Sequence, residues 1–232
     1  MNREDRGARG ATVEEIHRRI MRHKTEIIRA TKKAVNRAIR NRRLDDYRVV
    51  WKQLQTIAIP EVKQILEREF RGATFVVTES KSTYPDLKMV YRGKTIAFDI
   101  KSNEAQKEPW YDIARLDTID KERLSKYDEE YDLIVKYDRE SGRLLEVYFD
   151  LMRQTVGKNS DCDGVKFRPY DGKLRPKSWE DFENGTGYWS TIDAFKKGIR
   201  RSQIHRWKKL IKETLVPTLS IPERGRFRAL FD

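Results

Sequence analysis

The stretch at residues 82–104, STYPDLKMVYRGKTIAFDIKSNE, limits the fold more than any other part of this 232-residue chain. Its two arms are rich in β-branched and aromatic residues, which favour strands, and Arg92-Gly93 separates them. With those two residues as the turn, Tyr91 pairs with Lys94, and the numbers of paired residues sum to 185. The stretch is therefore predicted to be an antiparallel β-hairpin within a larger sheet.

The predicted register places Asp86 opposite Asp99. Opposed side chains share one face of a sheet at about 5 Å, so the two carboxylates would repel each other unless a positive charge lay between them. The period of two along a strand adds Lys101 to this face and turns Phe98 and Ile100 to the other. A cluster of two carboxylates and one ammonium on a single face is the consequence.

Carboxylates without neighbouring thiols or imidazoles favour a hard divalent cation, and Mg²⁺ commonly takes one or two carboxylates plus waters and phosphate oxygens. Such an ion polarises a phosphoryl oxygen and lowers the pKa of a bound water, while an ammonium beside it stabilises developing negative charge. The cluster therefore predicts hydrolysis of a phosphodiester with Asp86 and Asp99 as metal ligands and Lys101 as the assisting cation. A chance Asp-x-Lys on an exposed strand is the alternative.

Helices and further strands are predicted around the hairpin. Apolar residues at helical spacing predict one long amphipathic helix at 13–39, a second at about 45–58, and a third that begins with Pro60 in its first turn and ends near Phe70. A strand is predicted at 73–77. A helix at 110–127 is expected to cover Phe98 and Ile100.

The second half of the chain is predicted to add two strands to the sheet, followed by a loop-rich segment and a helix. Residues 131–152 predict a strand pair around Ser141-Gly142, in which Leu133, Val135 and Tyr137 match Leu145, Val147 and Phe149. The composition of 153–187 is typical of turns and loops, and a helical apolar stripe runs from Trp189 towards Pro217.

Composition indicates the partner and the compartment. Fifty Lys and Arg against 37 Asp and Glu give a net charge of +13, which favours a polyanion such as nucleic acid, although a basic surface also serves solubility. Cys162 is the only cysteine, which excludes an intrachain disulfide and a cysteine-based zinc site. No apolar leader or membrane span is apparent, so we expect a cytoplasmic or nucleoid protein.

The hairpin resembles the PD-(D/E)xK nuclease superfamily in Pro85-Asp86, twelve intervening residues, and Asp99-Ile100-Lys101. More narrowly, TYPDLKMVY and IAFDIKSN resemble the blunt-cutting restriction endonucleases of the EcoRV and HincII type. The resemblance implies an α/β, restriction-endonuclease-like fold with a mixed central sheet flanked by helices. It also implies a helical dimerisation region at 1–59, a catalytic core at 60–152, and a recognition loop with a basic helical region at 153–232.

The function implied by this resemblance is that of a bacterial, cytoplasmic type II restriction endonuclease from a restriction-modification system. It would be a homodimer that uses Mg²⁺ and no nucleotide cofactor, contacts no membrane, and cuts a short palindromic site in double-stranded DNA to leave blunt ends. Two rival hypotheses are a structure-specific repair or recombination nuclease and a catalytically silent DNA-binding protein.

The EcoRV-type enzymes bring a further glutamate to the metals from an upstream helix. Here Gln53 or Gln55 stands near that place, and Glu61 follows a turn or two later, so the sequence departs from the pattern. Glu61 is the candidate third metal ligand; a solvent-facing residue in the first turn of a helix is the alternative.

Two regions are predicted to contact DNA. ENGTGYWST at 183–191 resembles the recognition loop of the branch, with Asn184 and Thr186 placed to meet base edges; a plain surface turn is the alternative. Trp179, Tyr188 and Trp189 are expected to pack in the core, and stacking on bases or ribose is the alternative. The DNA-binding candidates are Asn184, Gly185, Thr186 and Tyr188 in the loop and Lys196, Lys197, Arg200 and Arg201 in the helix beyond it, where a solvated charged face is the alternative.

Overall fold

The computed structural model describes residues 11–41, 50–78, 84–105 and 108–219. A five-stranded sheet with the order β1-β2-β3-β4-β5 lies at the centre, and helices flank it. Strands β3 and β4 are parallel, and the other neighbours are antiparallel. The expected α/β class with a mixed central sheet and a helical N-terminal region is confirmed.

The helices are α1 (Val13–Arg22), α2 (Lys24–Arg40), α3 (Val50–Glu69), α4 (Met152–Thr155), α5 (Trp179–Glu183) and α6 (Ile192–Leu210). The sheet strands are β1 (Thr74–Val77), β2 (Leu87–Tyr91), β3 (Lys94–Glu104), β4 (Glu129–Tyr137) and β5 (Leu144–Leu151), and a small separate pair is β6 (Lys158–Asn159) with β7 (Gly164–Val165). Among the described residues, no helix is both long and apolar enough to cross a membrane.

The hairpin has the predicted register. Tyr91 pairs with Lys94 and Leu87 with Phe98, so the paired numbers sum to 185. Arg92 and Gly93 both have positive φ values, 48° and 77°, which matches the right-handed twist of the two strands. Glycine adopts this conformation without strain, and the turn therefore fixes which residues of β2 and β3 share a face.

The face of the sheet that carries Phe98 packs against the N-terminal helices. The rings of Phe98, Tyr131 and Phe149 stack across β3, β4 and β5 with centroid separations of 5.3 and 5.4 Å. This core is shared with apolar residues of α1, α2 and α3, and Ile100 packs at its margin. The expectation that residues 110–127 would cover Phe98 and Ile100 is wrong, because α1–α3 occupy that face.

The helix predicted at 110–127 is also wrong. Only Asp120–Leu124 forms a helical turn, of the π type. The backbone around Ile113 and Leu116 instead bonds to the segment at 172–174: Leu116 N donates to Gly172 O at 2.7 Å, and Leu174 N donates to Ala114 O at 2.7 Å. Ile113 and Leu116 are buried in a second core on the other face of the sheet. Their spacing suits a helix, but their hydrogen bonds go to another segment.

Two predicted helix boundaries are wrong in the N-terminal region. The helix expected at 13–39 divides at His23, whose ring lies 2.9 Å from Glu26 and 3.0 Å from Glu69. Helix α3 runs through Pro60 without ending, so the predicted break there does not occur. The expected helix start at residue 45 lies outside the described residues.

The strand pair β4–β5 is confirmed with one change. Leu133 pairs with Phe149 and Val135 with Val147, as predicted. The register shifts at Lys136/Tyr137, so Tyr137 pairs with Leu144, and Leu145 is 46% exposed.

The apolar stripe of the C-terminal helix covers the core only near its start. Trp179 and Trp189 are buried, as expected, and so are Phe195 and Ile199 in the first half of α6. The expectation that Tyr188 packs in the core is wrong, because its side chain is 39% exposed and its hydroxyl bonds to Asp181. Trp207, in the second half, is 55% exposed. The stripe therefore anchors one half of α6 and leaves the other half at the surface.

Candidate active site

The three predicted catalytic residues come together at β2 and β3. Asp86 directly precedes β2, while Asp99 and Lys101 lie two apart on β3 and so share one face. The sheet adds Asp132 of β4, which pairs with Asp99 across the parallel neighbours. Charged groups from three adjacent chain segments therefore line the face opposite the N-terminal helices.

Two donors hold the Asp86 carboxylate. Its Oδ2 accepts a hydrogen bond from the backbone N–H of Ile100 at 2.6 Å, and its Oδ1 accepts one from Gln55 Nε2 of α3 at 2.6 Å. Burial, followed by the charge of Asp99, raises the pKa of Asp86 to about 7. The carboxylate is thus fixed in position, and its negative charge is costly in the absence of a cation.

Asp99 is only 5% exposed and lies between two cations. Lys101 forms an ion pair with its Oδ2, and Arg123 Nη2 lies 3.9 Å from the same atom. The Lys101 side chain is 18% exposed, so its ammonium is largely removed from bulk water. Lys101 is therefore held on β3 beside Asp99, as the period of the strand predicts.

Arg123 supports the cluster from the π-helical turn, a role that no pattern in the sequence indicates. Its guanidinium lies 3.5 Å above the ring of Tyr84, and its Nη1 lies 3.5 Å from Glu130 Oε2. The Tyr84 hydroxyl donates a hydrogen bond to the same carboxylate. Burial raises the pKa of Glu130 to about 7. Arg123 is thus shared between a structural carboxylate and Asp99.

Asp132 is fully buried beneath the same face. Its Oδ2 accepts a hydrogen bond from Thr155 Oγ1 of α4 at 2.9 Å, and burial raises its pKa to about 6. Finding this residue from the sequence would have required knowledge that β3 and β4 are parallel neighbours. The hydrogen bond from Thr155 ties Asp132 of β4 to helix α4.

The donor set suits a hard cation with few protein ligands. Within the ranges that the structure covers, no group of three or more acidic, histidine or cysteine side chains is placed to hold a metal ion. Asp86 and Asp99 are two carboxylates on one face, and Mg²⁺ is commonly bound by one or two carboxylates with waters and phosphate oxygens. Burial and the neighbouring Asp99 raise the pKa of Asp86, and a bound cation would offset both effects, so the residues fit Mg²⁺.

Gln55, not Glu61, makes the contact from α3. Gln55 bonds to Asp86, whereas no hydrogen bond or ion pair joins Glu61 to either aspartate within the described chain. Six residues correspond to about 600° of helical turn, so the two side chains leave α3 in different directions. The upstream residue is therefore neutral here.

The predicted recognition loop begins at the end of α5. Asn184 is the C-cap, Gly185 has φ 68°, and Thr186 N donates to Asp181 O at 2.8 Å. The Tyr188 hydroxyl lies 3.0 Å from each oxygen of the Asp181 carboxylate. All four predicted residues are exposed. The loop thus presents an amide and a hydroxyl on a backbone that is held by α5.

The predicted basic residues of α6 divide into two kinds. Lys196, Lys197 and Arg200 are exposed and form no ion pair with any described residue. Arg201 is exposed as well, but it forms an ion pair with Asp163 and donates to the carbonyl oxygen of that residue at 3.0 Å. Three of the four cations are therefore available to an external anion.

Comparison with known proteins finds likeness among solved structures. A search against models of protein families found no match, and a search of curated proteins found none either. Among solved structures, NlaIV restriction endonuclease aligns with a TM-score of 0.43 and 17% sequence identity, over 65% of this chain and 63% of that chain. The chain therefore spans less than two thirds of the length of that protein.

Proposed function

We propose that this protein is a Mg²⁺-dependent nuclease that hydrolyses phosphodiester bonds of double-stranded DNA. The observation that carries the proposal is the face shared by Asp86, Asp99 and Lys101, where two carboxylates lie together, one of them with a pKa near 7, and an ammonium stands beside them. The net charge of +13 supports a polyanionic substrate.

Each residue has a distinct role in this proposal. Asp86 and Asp99 would hold Mg²⁺, which when bound polarises a phosphoryl oxygen and acidifies a water. The Ile100 N–H and Gln55 keep Asp86 in place, so the site is formed before substrate arrives. Lys101 would donate to the attacking water and stabilise the negative charge that develops on the phosphate.

The finer proposal is a type II restriction endonuclease of the EcoRV and HincII type, and its support is the sequence resemblance of the hairpin and of the NGT loop. Such an enzyme is a homodimer, because a palindrome presents two equal half-sites and each strand needs one active site. Cleavage to blunt ends, a bacterial cytoplasmic location and a partner methyltransferase belong to the same proposal.

The test is digestion of plasmid DNA by purified protein with Mg²⁺. We expect discrete fragments from the parent, and a loss of about a hundredfold or more in rate for Asp99→Asn and for Lys101→Ala. Asp161→Asn, which changes an exposed aspartate elsewhere, is the matched control and should cut normally. Near-normal turnover by Asp99→Asn would reject the active site.

The same assay separates the rival functions and the metal requirement. A smear or nicking that depends on DNA structure would indicate a repair or recombination nuclease, and binding without cutting in every metal would indicate a silent DNA-binding protein. Excess chelator should abolish cutting, and Ca²⁺ should support binding with little cleavage, because it coordinates more loosely than Mg²⁺. Full activity in chelator would exclude the metal proposal.

A further inference from the structure

After Glu26, the rest of helix α2 carries several basic residues and no acidic one. Between residues 27 and 44 the sequence has no Asp or Glu, and its cations are Arg29, Lys32, Lys33, Arg37, Arg40, Arg42 and Arg43. The neighbouring helices differ: Glu14 and Glu15 lie in α1, and Glu67 and Glu69 lie in α3. Among the three N-terminal helices, a run of cations without interspersed acidic residues is therefore found in α2.

The fold sorts these cations onto the outer surface. Ile27, Ala34 and Val35 are among the buried residues of α2, which packs on α3 and β5. Four cations point outward and are exposed, and we call them the α2 stripe: Arg29, Lys33, Arg37 and Arg40. At a rise of about 1.5 Å per residue the stripe is about 16 Å long. None of the four forms an ion pair within the part of the chain that the structure describes.

Such a stripe is unfavourable in the free protein. Arg29 and Lys33, Lys33 and Arg37, and Arg37 and Arg40 are spaced by three or four residues, so like charges adjoin along the helix and destabilise it. A surface that serves only solubility intersperses both signs. Two copies joined through this face would bring eight cations together. The charge pattern of the α2 stripe therefore favours binding of a polyanion and disfavours contact between two copies through this face.

The beginning of α2 lies near the predicted recognition loop. Lys24 Nζ is 3.3 Å from Asp150 Oδ2 on β5. Asp150 is also close enough to Lys177 for its charge to oppose the lowering of the Lys177 pKa by burial. Lys177 Nζ in turn donates to the carbonyl oxygen of Thr186 in the loop. Further along α2, Lys32 pairs with Glu146 of the same strand. The stripe thus leads away from the loop along the β5 edge of the sheet.

We propose that the α2 stripe binds the phosphates of duplex DNA next to the segment that the 184–188 loop contacts. The exposed guanidinium and ammonium groups, their regular spacing and the lack of an ion pair to any described residue carry this inference. The choice of DNA as the polyanion rests on the proposed function. Contacts of this kind neutralise phosphates and carry no base specificity.

The test compares two variants with the same net charge. One replaces the stripe, Arg29→Gln/Lys33→Gln/Arg37→Gln/Arg40→Gln. The control replaces four exposed arginines in surface turns, Arg71→Gln/Arg92→Gln/Arg139→Gln/Arg143→Gln. Both variants change the net charge from +13 to +9, since each loses four cations. Binding to a labelled duplex of random sequence is followed by fluorescence anisotropy in Ca²⁺ at several salt concentrations.

The stripe variant should bind roughly tenfold more weakly or worse, with a log–log salt slope smaller by about 3.6 units for four lost contacts. The control should keep nearly the parental slope. Thermal unfolding without DNA should show no loss of stability in the stripe variant, because like-charge repulsion is removed. Unchanged binding, or equal loss in both variants, would overturn the proposal.

Failure of the nuclease proposal can be distinguished from failure of the stripe proposal. If the parent cuts no DNA in Mg²⁺, the nuclease proposal fails, while the anisotropy experiment still measures the stripe because it requires no cleavage. A change of oligomeric state in the stripe variant by analytical ultracentrifugation, with DNA binding intact, would identify the stripe as a contact between copies and overturn the proposal.

Discussion

At the scale of single residues, Asp86 links the stability of the fold to the proposed chemistry. Its pKa of about 7, against an ordinary value of 3.8, arises from burial and from the neighbouring Asp99. Protons and a cation therefore compete for this carboxylate near neutral pH, and metal affinity should rise as the pH rises through 7.

We predict that Asp86→Asn stabilises the metal-free protein at pH 8. Between about pH 4 and pH 7 the folded state binds more protons at this group than the unfolded state, so its contribution to stability falls as pH rises, by a few kcal/mol at most. Asparagine does not ionise, so the variant does not lose this stability as the pH rises. Its oxygen still accepts from Ile100 N–H, and a flipped Gln55 amide pairs with its NH₂.

Melting temperatures of parent and variant at pH 4.5 and pH 8 check this prediction, with Asp161→Asn as the control. The variant should gain more at the higher pH. An equal difference at both pH values would contradict the linkage to Asp86.

The sequence predicted part of this site. Asp86, Asp99 and Lys101 were accessible because all three lie on one local hairpin, whose turn and strand period determine their geometry. Gln55 was only one of two options, and Arg123 and Asp132 were missed. These residues reach the site through the packing of α3, an irregular segment and a parallel strand pairing, none of which has a local sequence signal.

At the scale of elements, prediction succeeded where hydrogen bonds are local. The β2–β3 register followed from its two-residue turn. The segment at 110–127 was misassigned because apolar residues three apart also suit a chain that is bonded to residues 172–174. Pro60 misled for a related reason: its local preference for a helix start was overridden by the packing of α3 as one helix.

The proline inside α3 leads to a prediction about stability. Pro60 lacks the N–H that would bond to the carbonyl of Thr56, and its side chain is exposed. Pro60→Ala should therefore raise the free energy of unfolding by about 1–3 kcal/mol, reduced by the greater entropy of the unfolded chain. Urea denaturation measures this change, and Gln64→Ala, at an exposed site of α3, should have little effect. A loss of stability in Pro60→Ala would contradict this account.

At the scale of the whole molecule, the sequence patterns predicted helices and strands, and the resemblance of the hairpin implied the α/β class with a mixed central sheet. They did not reveal that the helices and the loop-rich second half cover opposite faces. That arrangement depends on contacts between distant segments, such as those of α2 with β5 and of residues 113–116 with 172–174.

The positions of the loop and α6 predict a division of labour on DNA. Replacing Lys197, which is exposed and makes no ion pair with a described residue, should weaken binding to cognate and scrambled duplexes alike and lower the salt slope by about one unit. Asn184→Ala should cost about 1–3 kcal/mol on the cognate duplex and little on the scrambled one. Titrations in Ca²⁺ at several salt concentrations measure both effects. Equal losses on both duplexes for Asn184→Ala would make the loop a plain surface turn.

The ring stack across β3, β4 and β5 gives the molecule an optical signal of its own. Tyr131 lies between Phe98 and Phe149, and its hydroxyl is 2.8 Å from His17 Nδ1. Burial raises the pKa of this phenol, so its tyrosinate absorbance should appear in alkali only when the sheet opens. Near-ultraviolet circular dichroism from the fixed rings should disappear in the same transition. A spectrometer can thus follow the opening of the central sheet without a label, independently of events on the face that carries Asp86 and Asp99.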